Sequence, residues 1–170
     1  MGDAAVRVQT RIRERLADAR PAVDWRTEYD VGGTPVDVAG VHGDGNRGGD
    51  GDEDEGGDSS LVLVELEWRR ADPANNTVKL FRNLADGDLG GGDDVRIVQV
   101  FTRYYDLQRG GVSTKRRNAT FVGDRVARTF PAVTYDAVTL DVDPPKRGGA
   151  LPDGWRAAVD RVVDAIVSSE

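Results

Sequence analysis

The sequence contains no cysteine and only one histidine, His42. These absences exclude disulfide bridges, thiolate zinc sites, a cysteine nucleophile and a histidine-rich metal centre. No apolar run approaches the roughly 18 residues that a membrane-spanning helix needs. The first ten residues also lack the apolar stretch of a secretory signal peptide, so we expect a cytoplasmic protein that does not contact a membrane.

Lysine is nearly as scarce as histidine. The chain has three lysines and 20 arginines, and its 30 acidic residues give a net charge of −7. This composition resembles that of halophilic proteins from a salt-rich cytoplasm, where carboxylates retain water and salt screens their repulsion. An acidic net charge in such a protein does not exclude nucleic-acid binding.

Most of the excess acidic charge lies between residues 42 and 60. This segment holds seven acidic residues, one arginine and seven glycines, with no apolar residue to bury. This composition therefore predicts a disordered insertion within a single domain that spans residues 1–170. The alternation Asp50-x-Asp52-x-Asp54 leaves a calcium loop as an alternative, although Glu55 stands where an EF-hand loop requires glycine.

Hydrophobic periodicity predicts the order of helices and strands along the chain. Asp72-Pro73 is typical of a helix start, and Gly87 of a helix end. The resulting order αβββαβαβα predicts an α/β fold with a mixed sheet flanked by helices. Helices are predicted at 4–19, 72–86, 113–128 and 153–168, and strands at 24–31, 34–40, 61–68, 94–102 and 132–140.

Three acidic residues lie inside predicted strands. Asp37 is part of TPVDVAG, and Glu65 and Glu67 are part of LVLVELEW. Residues two apart in a strand point to the same face, so the two glutamates project together. Like charges side by side are costly unless a positive group joins them, and carboxylate oxygens suit Mg²⁺ or Mn²⁺. Pairing of these acids with Arg69 or Arg70 is the alternative.

The αβββαβ order, the aspartate on the second strand and the Glu-x-Glu on the third resemble the PD-(D/E)XK nuclease superfamily, the restriction-endonuclease-like fold. The resemblance covers residues 4–102. It implies that Asp37 is the first metal-binding aspartate and that Glu65 is the acid of the second half-motif. Glu67 stands where the family usually has lysine, and Lys79 in the next helix is a possible substitute. An ordinary surface lysine is the alternative for Lys79.

The function implied by this resemblance is Mg²⁺- or Mn²⁺-dependent hydrolysis of nucleic-acid phosphodiester bonds by an endonuclease. Asp37, Glu65 and Glu67 are then the metal ligands and act in catalysis with Lys79. The partner expected is nucleic acid, in the form of DNA, and a homodimer is left open. The alternative function is a catalytically inactive nuclease-fold module that binds nucleic acid or a protein. The basic residues expected to contact nucleic acid, or else to form solvated helix faces, are Arg69, Arg70, Arg82, Lys115, Arg116 and Arg117.

Overall fold

A computed structural model describes residues 2–43, 60–69, 71–86 and 94–169. The acidic insertion, with its calcium-loop alternative, therefore falls almost entirely outside the described residues. Arg70, one of the expected nucleic-acid contacts, also lies outside them.

The described part of the chain forms four α-helices and five strands, close to the predicted bounds. None of these helices combines the length and apolarity needed to cross a bilayer. A short 3₁₀ helix at Arg103–Tyr105 follows the fourth strand. The elements are α1 (Asp3–Ala19), β1 (Asp24–Val31), β2 (Thr34–His42), β3 (Ser60–Glu67), α2 (Ala74–Asp86), β4 (Asp94–Thr102), α3 (Thr114–Thr129), β5 (Val133–Leu140) and α4 (Trp155–Ser168).

The strands form one open mixed sheet in the order β1-β2-β3-β4-β5. β2 pairs antiparallel with both β1 and β3, whereas β3, β4 and β5 run parallel. The parallel strands are connected through α2 and α3, as parallel neighbours require. The start of β2 therefore lies at the same edge of the sheet as the carboxyl ends of β3, β4 and β5.

Two large apolar cores fill the space between the sheet and its helices, and a smaller cluster is formed by Phe101, Tyr105 and Ala119. α1 and α4 cover one face, where Ile12 and Val159 pack with Val64 and Val98. α2 and α3 cover the other face, where Leu80 packs with strand residues such as Leu63. The central strands β3 and β4 are covered on both faces, which explains their nearly continuous apolar runs.

The buried face of α2 is not the one that its apolar residues indicate. Val78, Phe81, Leu84 and Ala85 predict an apolar stripe, but Val78 is 47% and Phe81 is 37% exposed. The prediction is wrong for Val78 and Phe81, because the buried face of α2 covers polar groups at the sheet edge. Leu84 is half-buried against the core. The helix instead buries Asn76, Thr77, Leu80 and Asn83.

Candidate functional site

The site begins where β2 and β3 stop pairing. Their backbone register runs from His42–Ser60 to Val38–Val64. At the next position Asp37, which is 3% exposed, accepts the Leu66 backbone N–H through its carboxylate Oδ2 at 2.7 Å. A side-chain carboxylate thus takes the place of a backbone acceptor, which fixes its orientation at the fork between the strands.

The backbone of the neighbouring strand is strained beside Asp37. Glu28 has φ of +50°, a value that L-residues other than glycine rarely adopt, and it interrupts the β1–β2 register opposite Asp37. Gln9 on α1 holds this region by donating from Nε2 to Glu28 Oε1 at 2.8 Å and to the Asp37 carbonyl at 2.6 Å. Strain of this kind clusters at functional sites, because surrounding contacts must hold it.

Glu65 and Glu67 lie side by side on β3, as their spacing predicts. They are 1% and 0% exposed, respectively, and both face α2. Asn76 in the first turn of α2 donates from Nδ2 to Glu65 Oε2 at 3.3 Å and to Glu67 Oε1 at 3.2 Å. One amide group therefore bridges two buried carboxylates, whose separation from water would otherwise be costly.

Two more side chains extend this network across the sheet. Gln99 on β4 donates from Nε2 to Glu67 Oε1 at 3.0 Å, and Tyr135 on β5 donates to Gln99 Oε1 at 2.7 Å. A Cβ added at Gly123 on α3 would overlap the Tyr135 ring, so the glycine leaves room for it. The network orients Glu67 toward the protein interior.

A pocket of about 430 Å³ opens in front of the fork. Asp37 and Lys79 both line it, and Asn76, one turn before Lys79 on α2, lies between this pocket and the glutamate pair. Asp37 of β2 and Lys79 of α2 therefore lie on the wall of one cavity. The lining residues are Gly2, Glu28, Thr34, Pro35, Asp37, Leu66, Trp68, Arg69, Asn76 and Lys79.

The three predicted metal ligands lie at one edge of the sheet but do not form one ready-made cluster. Among the residues that the structure describes, no three histidine, cysteine, aspartate or glutamate side chains are grouped closely enough to hold a metal ion. Glu67 is turned to Asn76 and Gln99, and neither Glu65 nor Glu67 is among the residues that line the pocket. Asp37 and Glu65 lie on the neighbouring strands β2 and β3, at the point where the pairing of these strands ends.

No family model, no curated protein and no solved structure matches this chain. The function therefore has to be inferred from the geometry of the site. The supporting residues Gln9, Asn76, Gln99 and Tyr135 were missed in the sequence, because amide and phenol side chains carry no spacing signal. The only available hint was an Asn-Asn pair at the start of a helix whose other residues are mainly apolar or charged.

The predicted nucleic-acid contacts occupy different surroundings. Arg69 lines the pocket, donates to the Pro144 carbonyl at 3.3 Å and stacks on the Tyr104 ring. Its pairing with Glu65 or Glu67 was the alternative from sequence, and the glutamates are instead bridged by Asn76. Arg116 is half-buried against the Phe101 ring. The remaining three side chains are exposed on α2 or α3: Arg82, Lys115 and Arg117.

Burial raises the pKa of Tyr135 above its ordinary value. Since tyrosine ionises near pH 10 in the unfolded chain, its contribution to stability is complete below about pH 10 and is lost as the pH rises further. We expect Tyr135→Phe to flatten the fall in stability above about pH 10, while costing about 1 kcal/mol at neutral pH through loss of the bond to Gln99. Urea unfolding near pH 8 and pH 11 measures both effects. If the free energy of unfolding falls equally between these pH values in the two proteins, the fall does not come from ionisation of Tyr135.

Proposed function

We propose that this chain is a divalent-cation-dependent nuclease of the PD-(D/E)XK kind, hydrolysing phosphodiester bonds of DNA. The observation that carries the proposal is that Asp37 and Lys79 line one pocket at the β2–β3 fork. Glu65 lies directly behind this pocket, held by Asn76. The element order α1-β1-β2-β3-α2-β4 supports the proposal, since it agrees with the αβββαβ order of that superfamily.

The donor chemistry at the fork suits Mg²⁺ or Mn²⁺, which prefer carboxylate oxygens. In this proposal Asp37 and Glu65 hold the cation. Glu67, fully buried and bonded to two amides, positions Asn76 and Gln99 and does not touch the substrate. When bound, the cation would polarise a phosphoryl oxygen and lower the pKa of a water molecule.

The protein's own groups would then position the reacting phosphate. The Leu66 N–H fixes the Asp37 carboxylate, so little reorganisation is needed at the moment of reaction. In this proposal Lys79, which is half-buried on α2 and lines the same pocket, supplies the positive charge of the lysine that is missing from position 67. This charge stabilises the additional negative charge that develops on the phosphate during attack by water.

A cleavage assay tests the proposal directly. The chain is incubated with supercoiled plasmid and with end-labelled single strands, in Mg²⁺, in Mn²⁺ and in EDTA, across a range of salt concentrations. We expect products that EDTA abolishes, and a rise in melting temperature with either cation, since ligands that bind the native state stabilise it. Absence of both effects would reject the proposal.

Lys79→Met should reduce the cleavage rate by roughly 10²-fold, a usual effect of removing a group that assists proton transfer or charge stabilisation. Methionine keeps much of the aliphatic length, so the melting temperature should stay within about 2 °C of the parent value. Arg128→Met on α3 is the matched control, because it removes an exposed cationic side chain outside the pocket. Equal cleavage rates for the two variants would show that Lys79 is an ordinary surface lysine without a role in catalysis.

A catalytically inactive module that binds nucleic acid is the second candidate. It is favoured by the burial of Glu67 and by the absence of a three-ligand group among the described residues. This candidate predicts oligonucleotide binding without cleavage and no change in melting temperature with Mg²⁺. The assay above therefore separates the two functions.

A further inference from the structure

A second, larger pocket adjoins the candidate site. It has a volume of about 990 Å³ and lies between the start of α1, the residues after β3 and the 145–150 segment that precedes α4. Gly2, Trp68 and Arg69 line both this pocket and the one that contains Asp37. The two pockets are therefore adjacent and share part of their lining. We call the larger pocket the basic groove.

The basic groove concentrates positive charge on an acidic protein. Arg7, Arg69, Lys146 and Arg147 line it, against the single carboxylate of Asp3. All four cationic residues are exposed. Such a concentration on a chain with net charge −7 matches what binding to a phosphate backbone requires.

The two arginines are held in place by aromatic rings. The Arg7 guanidinium lies 5.6 Å from the centre of the Trp155 ring, and that of Arg69 lies 5.1 Å from the centre of the Tyr104 ring. Stacking on a ring orders a guanidinium without neutralising its charge. The loss of side-chain entropy on binding an anion is therefore reduced.

Lys146 and Arg147 are presented by a tight turn. The Gly149 N–H donates to the Lys146 carbonyl at 2.8 Å, and Gly148 has φ of +80°, a conformation that favours glycine. The turn projects two adjacent cations on the far side of the groove from α1. Cations thus lie on both walls of the groove.

Trp68 lies at the junction of the two pockets. Trp25 and Trp155 are buried at 7% and 8% exposure, whereas Trp68 is partly exposed and lines both cavities. An accessible indole beside cationic side chains is the combination that binds single-stranded nucleic acid, because every base can stack on an aromatic face.

We propose that the basic groove binds a single-stranded nucleic-acid segment, with phosphates on Arg7, Arg69, Lys146 and Arg147 and a base stacked on Trp68. The segment continues past Trp68 and places a phosphodiester in the pocket of Asp37. This inference rests on the proposed nuclease function and specifies its substrate as a single strand or a frayed duplex end. Binding itself requires neither cation nor cleavage.

Fluorescence polarisation tests the groove. The probe is fluorescein-labelled oligodeoxythymidine of about 12 nucleotides, within the usual site size of single-strand binding modules. EDTA is present, so that no hydrolysis occurs. Lys146→Glu combined with Arg147→Glu should weaken binding about 10-fold or more, and should reduce the slope of log affinity against log salt by about 1.4, because two phosphate contacts are lost.

The matched control is Arg125→Glu combined with Arg128→Glu. These exposed arginines lie toward the end of α3 and outside both pockets, and their reversal changes the net charge equally. Equally weakened oligonucleotide binding in both double variants would show a general effect of net charge and would overturn the proposed binding site in the groove. The neutral pair Lys146→Gln and Arg147→Gln should give an intermediate loss, and all variants should melt like the parent chain.

Tryptophan fluorescence tests the stacking. Unlabelled oligodeoxythymidine should quench the emission of the parent chain, and Trp68→Phe should remove most of that quenching. Quenching that persists in Trp68→Phe, or duplex DNA that binds as tightly as the single strand, would overturn the proposal. Binding in EDTA without cleavage in Mg²⁺ would reject the nuclease function and still support binding in the groove. Cleavage by the parent chain, with unchanged binding in the Lys146→Glu and Arg147→Glu double variant, would reject the groove and support the nuclease function.

Discussion

Replacing Asp37 with asparagine should reduce cleavage by about 10³-fold, equivalent to roughly 4 kcal/mol of transition-state stabilisation. The amide oxygen of asparagine can still accept the Leu66 N–H, so the fork should keep its geometry. What disappears is the negative charge that would help to hold the cation. The rate of plasmid or single-strand cleavage in Mg²⁺ measures the effect.

Melting temperature supplies the complementary measurement for Asp37→Asn. Asp37→Asn should lose both cleavage and the stabilisation by Mg²⁺, because one of the proposed ligands no longer carries a charge. Asp164→Asn, an exposed aspartate on α4, is the matched control and should change neither property. An Asp37→Asn protein that cleaves at the parent rate would exclude Asp37 from the catalytic site.

The second large effect is expected at Asn76, which bridges Glu65 and Glu67. Asn76→Asp replaces the shared donor with a third carboxylate beside two buried ones, at a residue that is only 6% exposed. We expect a loss of about 3–5 kcal/mol in the free energy of unfolding at neutral pH, the usual cost of an uncompensated buried charge. Urea or guanidinium unfolding followed by circular dichroism measures it.

Asn75→Asp is an unusually close control for this experiment. Asn75 is the preceding residue on α2 and is exposed, so the substitution adds the same charge to the same helix turn. Its effect should be near zero or slightly stabilising, because an acidic residue near a helix start interacts favourably with the helix dipole. Similar stability in the two variants would mean that the buried network does not hold the glutamates.

These two experiments address different parts of one structure. Asp37 and Lys79 line the pocket, where the proposed chemistry takes place. Behind it, Asn76 and Gln99 hold the glutamates on the covered face of β3. A functional site built on strands and supported by a second layer of hydrogen bonds is held more precisely than one built on loops. The proposal therefore predicts that substitution of Asp37 lowers activity and that substitution of Asn76 lowers stability.

The sequence alone determined the elements of the fold and their bounds to within about two residues. Residues 24–31 and 94–102 are predicted and observed as the same strands, and the strand predicted at 61–68 is observed at 60–67. For β3 and β4 the apolar content explains this agreement, since a strand covered on both faces requires a nearly continuous apolar run. For β1 the signal is alternation that ends at Gly32-Gly33. The acids at 37, 65 and 67 could also be singled out, because a charge inside such a run needs a compensating group.

Only the tertiary structure decided which groups surround those acids. The apolar residues of α2 predict that Val78 and Phe81 are buried, yet the helix buries Asn76, Thr77 and Asn83. Periodicity cannot reveal this, because it assumes an apolar surface beneath every helix. The amide bridge, the pocket that Asp37 and Lys79 share and the basic groove all depend on contacts between residues far apart in the chain. Such contacts are set by how α1, α2 and the 145–150 segment pack around the sheet edge, which local sequence does not encode.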